Sequence, residues 1–82
     1  MDAIRTTLIK ETDSRVARIK ASSPRGSVSI PYPKRMVEAI AHGFAAQVAC
    51  KRLYAEVEDL VITTGKLADG SYAHVISSSS SL

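Results

Sequence analysis

A run of alanine and large apolar residues between Pro33 and Val57 constrains this chain more than any other feature. It is the one stretch with helical periodicity over several turns, and the rest must be built around it. Pro33 suits the first helical position, where its missing N–H has no intrahelical partner in any case. The spacing predicts one long helix over residues 33–57. At 100° per residue, Lys34, Arg35, Glu38, His42, Arg52 and Glu56 fall within about 100° of arc. Lys34–Glu38 and Arg52–Glu56 are i,i+4 pairs of opposite charge. The remaining arc carries Met36, Val37, Ile40, Phe44, Val48, Cys50, Tyr54 and Val57, interrupted by Gln47 and Lys51. A sheet covers one side of such a helix, so a second copy or a partner is expected to cover the rest. Gly43 costs ~1 kcal/mol relative to Ala in a helix interior. It either allows a close approach or marks a turn between two short helices.

Strands flank the helix. Residues 3–22 read as a β-hairpin, with Thr6-Thr7-Leu8-Ile9 on one arm and Thr12-Asp13-Ser14 as turn chemistry. In Arg15–Ala21 the residues alternate, which puts Ala17, Ile19 and Ala21 on one face and Arg18 and Lys20 on the other. A second turn, Ser23-Pro24-Arg25-Gly26, leads into a short strand with Val28 and Ile30 inward, and Pro31 ends the pairing. Beyond the helix, Leu60–Thr64 and Tyr72–Ile76 form a second hairpin around an Asp69-Gly70 turn. The expected fold is α+β in the order β-β-β-α-β-β: two hairpins and a short strand in an antiparallel sheet packed on one long helix. Residues 1–76 make one domain, and residues 77–82 read as a Ser-rich disordered tail.

Composition excludes several classes. The chain has 82 residues, of which 45% are hydrophobic and 23% charged, which is too apolar for intrinsic disorder. A domain of this size buries only about 60% of its unfolded surface, so it is marginal unless well packed. No apolar run approaches the ~18 residues of a membrane span. The start, Met-Asp-Ala-Ile-Arg, lacks signal-peptide layout. The single Cys50 permits no internal disulfide, so a cytoplasmic setting is expected.

The net charge of +3 is split unevenly. Residues 1–35 hold eight cations against three anions, and residues 36–82 hold three against five. The basic half fits a polyanion, whether nucleic acid or an acidic protein. The blander alternative is a solvated strand face with cations guarding a sheet edge.

No constellation for chemistry emerges. Cys50 and His42 are the only nucleophile and base close in sequence. On a helix they lie ~12 Å apart along the axis and point in different directions, so they cannot pair. His74 is free to approach either from another element. One cysteine and two separated histidines do not form a zinc site, and no glycine-rich phosphate loop is present. Neither enzyme activity, cofactor nor metal is expected. Glu56, Glu58 and Asp59 cluster where a helix dipole is negative. They fit either a contact patch for a basic partner or one end of a salt-bridge network with the Arg-rich hairpin. Among the aromatics, Tyr32 beside Lys34 and Arg35 fits a stacking platform, or equally a plug at the helix entry.

Three resemblances bear on function. Arg25-Gly26-Ser27-Val28-Ser29-Ile30-Pro31 resembles the basic turn and Ile-Pro strand of swapped-hairpin DNA-binding proteins of the AbrB type. Here Tyr32-Pro33 delays the helix, and the helix is longer than in that family. Val28-Ser29-Ile30 resembles the ribbon of ribbon-helix-helix repressors, provided the helix splits at Gly43. More of the chain is similar in style to small accessory proteins of tailed phages and prophages. The segments that carry this are Arg15–Ala21, Ser23–Pro31 and Gly65–Ala73.

The phage resemblance implies an anti-CRISPR-like inhibitor that occludes a host nucleic-acid-handling complex, such as a CRISPR effector, in the host cytoplasm. It acts alone or as a homodimer. The expected contact residues are Arg15, Arg18, Lys20 and Arg25 on the hairpin, and Glu56, Glu58 and Asp59 at the helix end. Tyr32 and Tyr72 are added as anchors. The alternative, a dimeric DNA-binding regulator, would place Arg25, Lys34 and Arg35 on phosphates.

Overall fold

The computed structural model describes residues 2–57 and 59–78. The fold is α+β, in the order β1 (Asp2–Ile9), β2 (Arg18–Ser23), β3 (Gly26–Pro31), α1 (Glu38–Leu53), β4 (Leu60–Lys66) and β5 (Tyr72–Ser78). The strands form one antiparallel sheet in the order β3-β2-β1-β5-β4. The first three strands step outward from β1 to one edge. The helix then carries the chain back across the sheet to the far edge, where β4 starts, and β5 returns between β4 and β1. The N-terminal strand therefore sits in the middle. The returning strand reaches Ser78, so Ser77 and Ser78 belong to β5 rather than to a tail; residues 79–82 lie outside the described residues.

Alternation along the strands sets two faces. Ile4 and Thr6 on β1, Ile19 and Ala21 on β2, Val28 on β3, and Tyr72, His74 and Ile76 on β5 are buried beneath the helix. The opposite face carries Arg5, Thr7, Arg18, Lys20, Ser27 and Ser29, and no element among the described residues covers it. This is the division that the alternating sequence of β2 and β3 predicts. Two turns need glycine: Gly26 at φ 138° and Gly70 at φ 91° occupy backbone conformations that a side chain would strain.

The helix differs from expectation in both extent and rotation. It begins at Glu38, after an extended Val37 and a left-handed Arg35 (φ 66°), not at Pro33. It ends at Leu53 and runs unbroken through Gly43. The two anticipated i,i+4 pairs do not form. Lys34 lies before the helix, and Glu38 pairs instead with Lys66 on β4 at 3.7 Å. Glu56 lies beyond the helix and pairs with Arg25.

More telling, the face pressed to the sheet is the alanine face. Ala41, His42, Ala45, Ala46, Ala49 and Cys50 are buried, while Val37, Ile40 and Phe44 are 64%, 60% and 43% exposed. Small side chains let the helix axis settle close to the sheet, where His42 reaches the buried Thr6 of β1. Large side chains at positions 41, 45 and 49 would lift the helix away. Further along, Tyr54 and Cys50 close the core over Ile4, Ala21, Val28 and Ile76.

This rotation is directly testable by urea denaturation. Ala45→Gln forces a polar amide into a position 1% exposed and should destabilise by roughly 1–3 kcal/mol. Ile40→Gln should change stability by no more than about 0.5 kcal/mol. A Cβ at Gly43 meets nothing within 4 Å, so Gly43→Ala should stabilise by about 1 kcal/mol. If Ile40→Gln proves the costly substitution, the helix faces the other way.

Candidate functional site

The densest polar arrangement lies under the N-terminal half of α1. Thr6 projects from the middle strand and is fully buried. Its Oγ1 is 2.7 Å from His42 Nδ1 on the helix and 2.8 Å from His74 Nε2 on β5. His74 Nδ1 lies 2.9 Å from Thr64 Oγ1 on β4. Tyr72 flanks the chain of contacts, its ring 4.4 Å from that of His42. One helix and three strands thus meet on four side chains, with His42 1% and His74 0% exposed.

Proton counting fixes what this network tolerates. The Thr6 hydroxyl has one hydrogen to donate. It can donate to His42 and accept from His74, whose Nδ1 then accepts from Thr64. It can equally accept from His42 and donate to His74, whose Nδ1–H then donates to Thr64. Either polarity satisfies every group with both imidazoles neutral. If both histidines are protonated, both donate to Thr6 and its own hydrogen loses its acceptor.

Burial pushes both histidines below their ordinary value. For His42, Glu38 opposes this and Lys66 adds to it; for His74, the neighbouring His42 adds to it. The arrangement therefore holds neutral imidazoles and ties helix to sheet. Thr6, His42 and His74 offer no surface to a substrate, and no group of three or more metal-ligating side chains occurs among the described residues.

Cys50 lies in the other half of the core. Burial pushes its thiol up, away from the reactive thiolate. A groove of about 290 Å³, lined by Cys50, Lys51, Tyr54, Ala55, Val57 and Leu60, passes it, and neither a histidine nor a carboxylate is among these lining residues.

The expected contact residues do not converge. Arg25 is held within the molecule: it donates to the Leu53 carbonyl at 2.9 Å, pairs with Glu56, approaches Asp2 at 4.0 Å and lies 4.3 Å over the Tyr54 ring. It caps the negative end of α1, and Tyr54 in turn donates to Asp2 at 2.8 Å. The Glu56 carboxyl is lowered chiefly by its bond to Arg25. The salt-bridge alternative thus describes Arg25 and Glu56. Lys34 and Arg35 lie at the opposite end of a helix about 24 Å long from Arg25, so the three do not form one cluster.

Tyr72 is 7% exposed and lies under the helix, which corrects its expected place at the surface. Tyr32 is half-buried against Ile19, Ala41 and Ala45, and its N–H donates to the Ala17 carbonyl at 3.0 Å. It plugs the helix entry. Arg15 is exposed in the β1–β2 loop beside its bridge to Thr12. Asp59 is exposed with a left-handed backbone (φ 54°), and Glu58 lies outside the described residues. Arg18 and Lys20 share the uncovered face of the sheet.

No family model matches the chain, and no curated protein or solved structure matches it. Function must be argued from its surfaces.

In the sequence His42 and His74 stand as candidate bases for Cys50, and Thr6 and Thr64 only as strand residues, because together they form no motif. The available signal was parity: Thr6 shares an inward phase with Ile4, and His74 with Tyr72 and Ile76.

The network makes stability pH-dependent. Each histidine titrates near 6.5 when unfolded and lower when folded, so the unfolded state binds more protons below that value. Stability is complete above pH ~6.5 and falls as pH drops through it, by up to about 1.4 kcal/mol per pH unit per histidine. Urea midpoints should therefore fall between pH 7.5 and 5.5, a window above the carboxylate range. His42→Asn should roughly halve the slope. Thr6→Val, which strands two imidazoles, should cost about 1–3 kcal/mol at pH 7.5. A midpoint that stays constant across that window would remove the network from any role in stability.

Proposed function

We propose that the chain is a non-enzymatic binding protein that docks on a partner protein through the outward face of α1 and acts by covering that partner's surface. The observation that carries this is the bared stripe of Val37, Ile40 and Phe44, with Met36 beside it at 38% exposure. A helix packed on a sheet ordinarily turns its charged side to water. Single exposed apolar residues need no explanation, but a contiguous patch of large ones marks an interaction site.

The charges around the stripe describe the partner. Lys34 and Arg35 lead into it and Lys51 continues it, and none of the three has an ion-pair partner among the described residues. Glu38, the nearest acid, is turned to Lys66. The fitting partner presents an apolar anchor ringed by carboxylates. A second copy fits poorly. Antiparallel pairing of two such faces brings Lys51 toward Lys34 and Arg35, and parallel pairing sets Lys51 against Lys51.

The resemblance to small phage and prophage proteins extends the reading to its target class. The partner is a host complex that handles nucleic acid, and the effect is inhibition by steric occlusion. Occlusion needs no active site, which suits a chain whose histidines and cysteine are buried.

Immobilised wild-type protein should retain one stoichiometric bacterial protein complex and suppress its nucleic-acid activity. Ile40→Glu and Phe44→Glu should fold, as judged by circular dichroism, yet lose both effects. Equal retention and inhibition by the variants would overturn the assignment of this face. Light scattering should show a monomer; a dimer that the same substitutions dissolve would give the face to a second copy instead.

A further inference from the structure

The basic half of the sequence becomes, in three dimensions, one uncovered sheet face. Arg5 on β1 and Arg18 and Lys20 on β2 share the outer parity, and the register sets Thr7 opposite Lys20 and Ser22 opposite Arg5. Ser29 lies opposite Lys20 on the other side. Lys20 is diagonal to Arg5 and two residues from Arg18, so the three cations follow one another at roughly 7 Å. By parity, no acidic and no aromatic residue lies on this face among the described residues. Arg5 is partly answered by Asp69 and Ser71 at the end of the sheet, but its side chain stays 57% exposed. Arg18 and Lys20 have no ion-pair partner among the described residues, and the buried Nε of Arg18 has no hydrogen-bond partner.

Folding does not explain this arrangement. Cations on an edge strand deter unwanted strand pairing, but β1 and β2 are interior strands and the edges are β3 and β4. Neighbouring like charges oppose pairing across strands. What the face matches is a row of phosphates, with Thr7, Ser22 and Ser29 supplying hydroxyl donors between the cations. The absence of aromatic side chains argues against stacking on unpaired bases.

We infer that the outer sheet face, centred on Arg18 and Lys20, binds the phosphate backbone of a nucleic-acid duplex without reading its sequence. The site is separate from the helix face, and neither proposal rests on the other.

The test is fluorescence anisotropy of a labelled 20-base-pair DNA duplex titrated with the protein at salt concentrations from about 50 to 200 mM. Binding should weaken steeply with salt and be the same for two unrelated sequences. Lys20→Gln should reduce the slope of log affinity against log salt by about one, and Arg18→Gln with Lys20→Gln by about two. Affinity near 50 mM should fall roughly tenfold for each lost phosphate contact. Lys51→Gln with Arg52→Gln removes equal charge from the helix side and should leave the slope unchanged. Three results overturn the proposal: no binding at 50 mM salt; equal losses in the helix-side variant, which would reduce the effect to net charge; or a polyglutamate that competes as well as unlabelled duplex, which would make the face a site for an acidic protein.

Discussion

One hydroxyl, that of Thr6, sits between two imidazoles that arrive from different elements, and the arrangement of the rest follows from it. A buried threonine on the middle strand must find hydrogen-bond partners, because an unsatisfied buried polar group costs about 1–3 kcal/mol. His42 and His74 supply them from above and beside. For His42 to reach Thr6, the helix must lie close to the sheet and present the face that also holds Ala41, Ala45, Ala46 and Ala49. Once that face is committed inward, Val37, Ile40 and Phe44 have nowhere to go but out. The apolar stripe is thus the other side of a bargain struck in the core.

Electrostatics follow the same division. Most of the described carboxylates are answered within the molecule: Asp2 and Glu56 by Arg25, Glu38 by Lys66 and Asp69 by Arg5. Individually such exposed pairs contribute ~0–1 kcal/mol. Collectively they decide where charge is left over. Arg25 gains most from geometry, since it meets a helix C-terminus, a carboxylate and an aromatic face at once. That use engages its guanidinium within the molecule, although the side chain stays 40% exposed. Among the described residues, the cations left without a counter-ion are Arg18 and Lys20 on the outer sheet face, those in the first loop and those at the two ends of α1.

Strands were legible in this sequence and the helix was legible only in outline. Ile19 and Ala21 alternate with Arg18 and Lys20, and Val28 and Ile30 with Ser27 and Ser29, so their faces could be read from period alone. The β4–β5 turn announced itself through Asp69-Gly70. The helix start was misplaced because Pro33 is compatible with a first turn but does not compel one, and the left-handed Arg35 carries no sequence mark. Its rotation is not readable for a different reason: the wide apolar arc leaves open which part meets the sheet, His42 falls in the polar stripe although it is buried, and close packing on a sheet favours alanine. The stripe Ala41-Ala45-Ala49 at i, i+4, i+8 was visible, but its meaning depended on Thr6, thirty-five residues away in sequence from Ala41. Arg25 and Glu56 could be suspected as partners from charge alone; that they would meet over Tyr54 could not.

The topology gives the two candidate surfaces a fixed relation. The helix lies wholly on the inner face of the sheet, so its outward stripe and the outer sheet face are on opposite sides of the molecule. Ligands on the two sides do not compete for space, and a protein held by the stripe would leave Arg18 and Lys20 directed away from it. Were both proposals to hold, the domain would bridge a partner protein on one side and a duplex on the other. Thr6 lies between the two surfaces and ties the helix to the sheet through His42, although it touches neither.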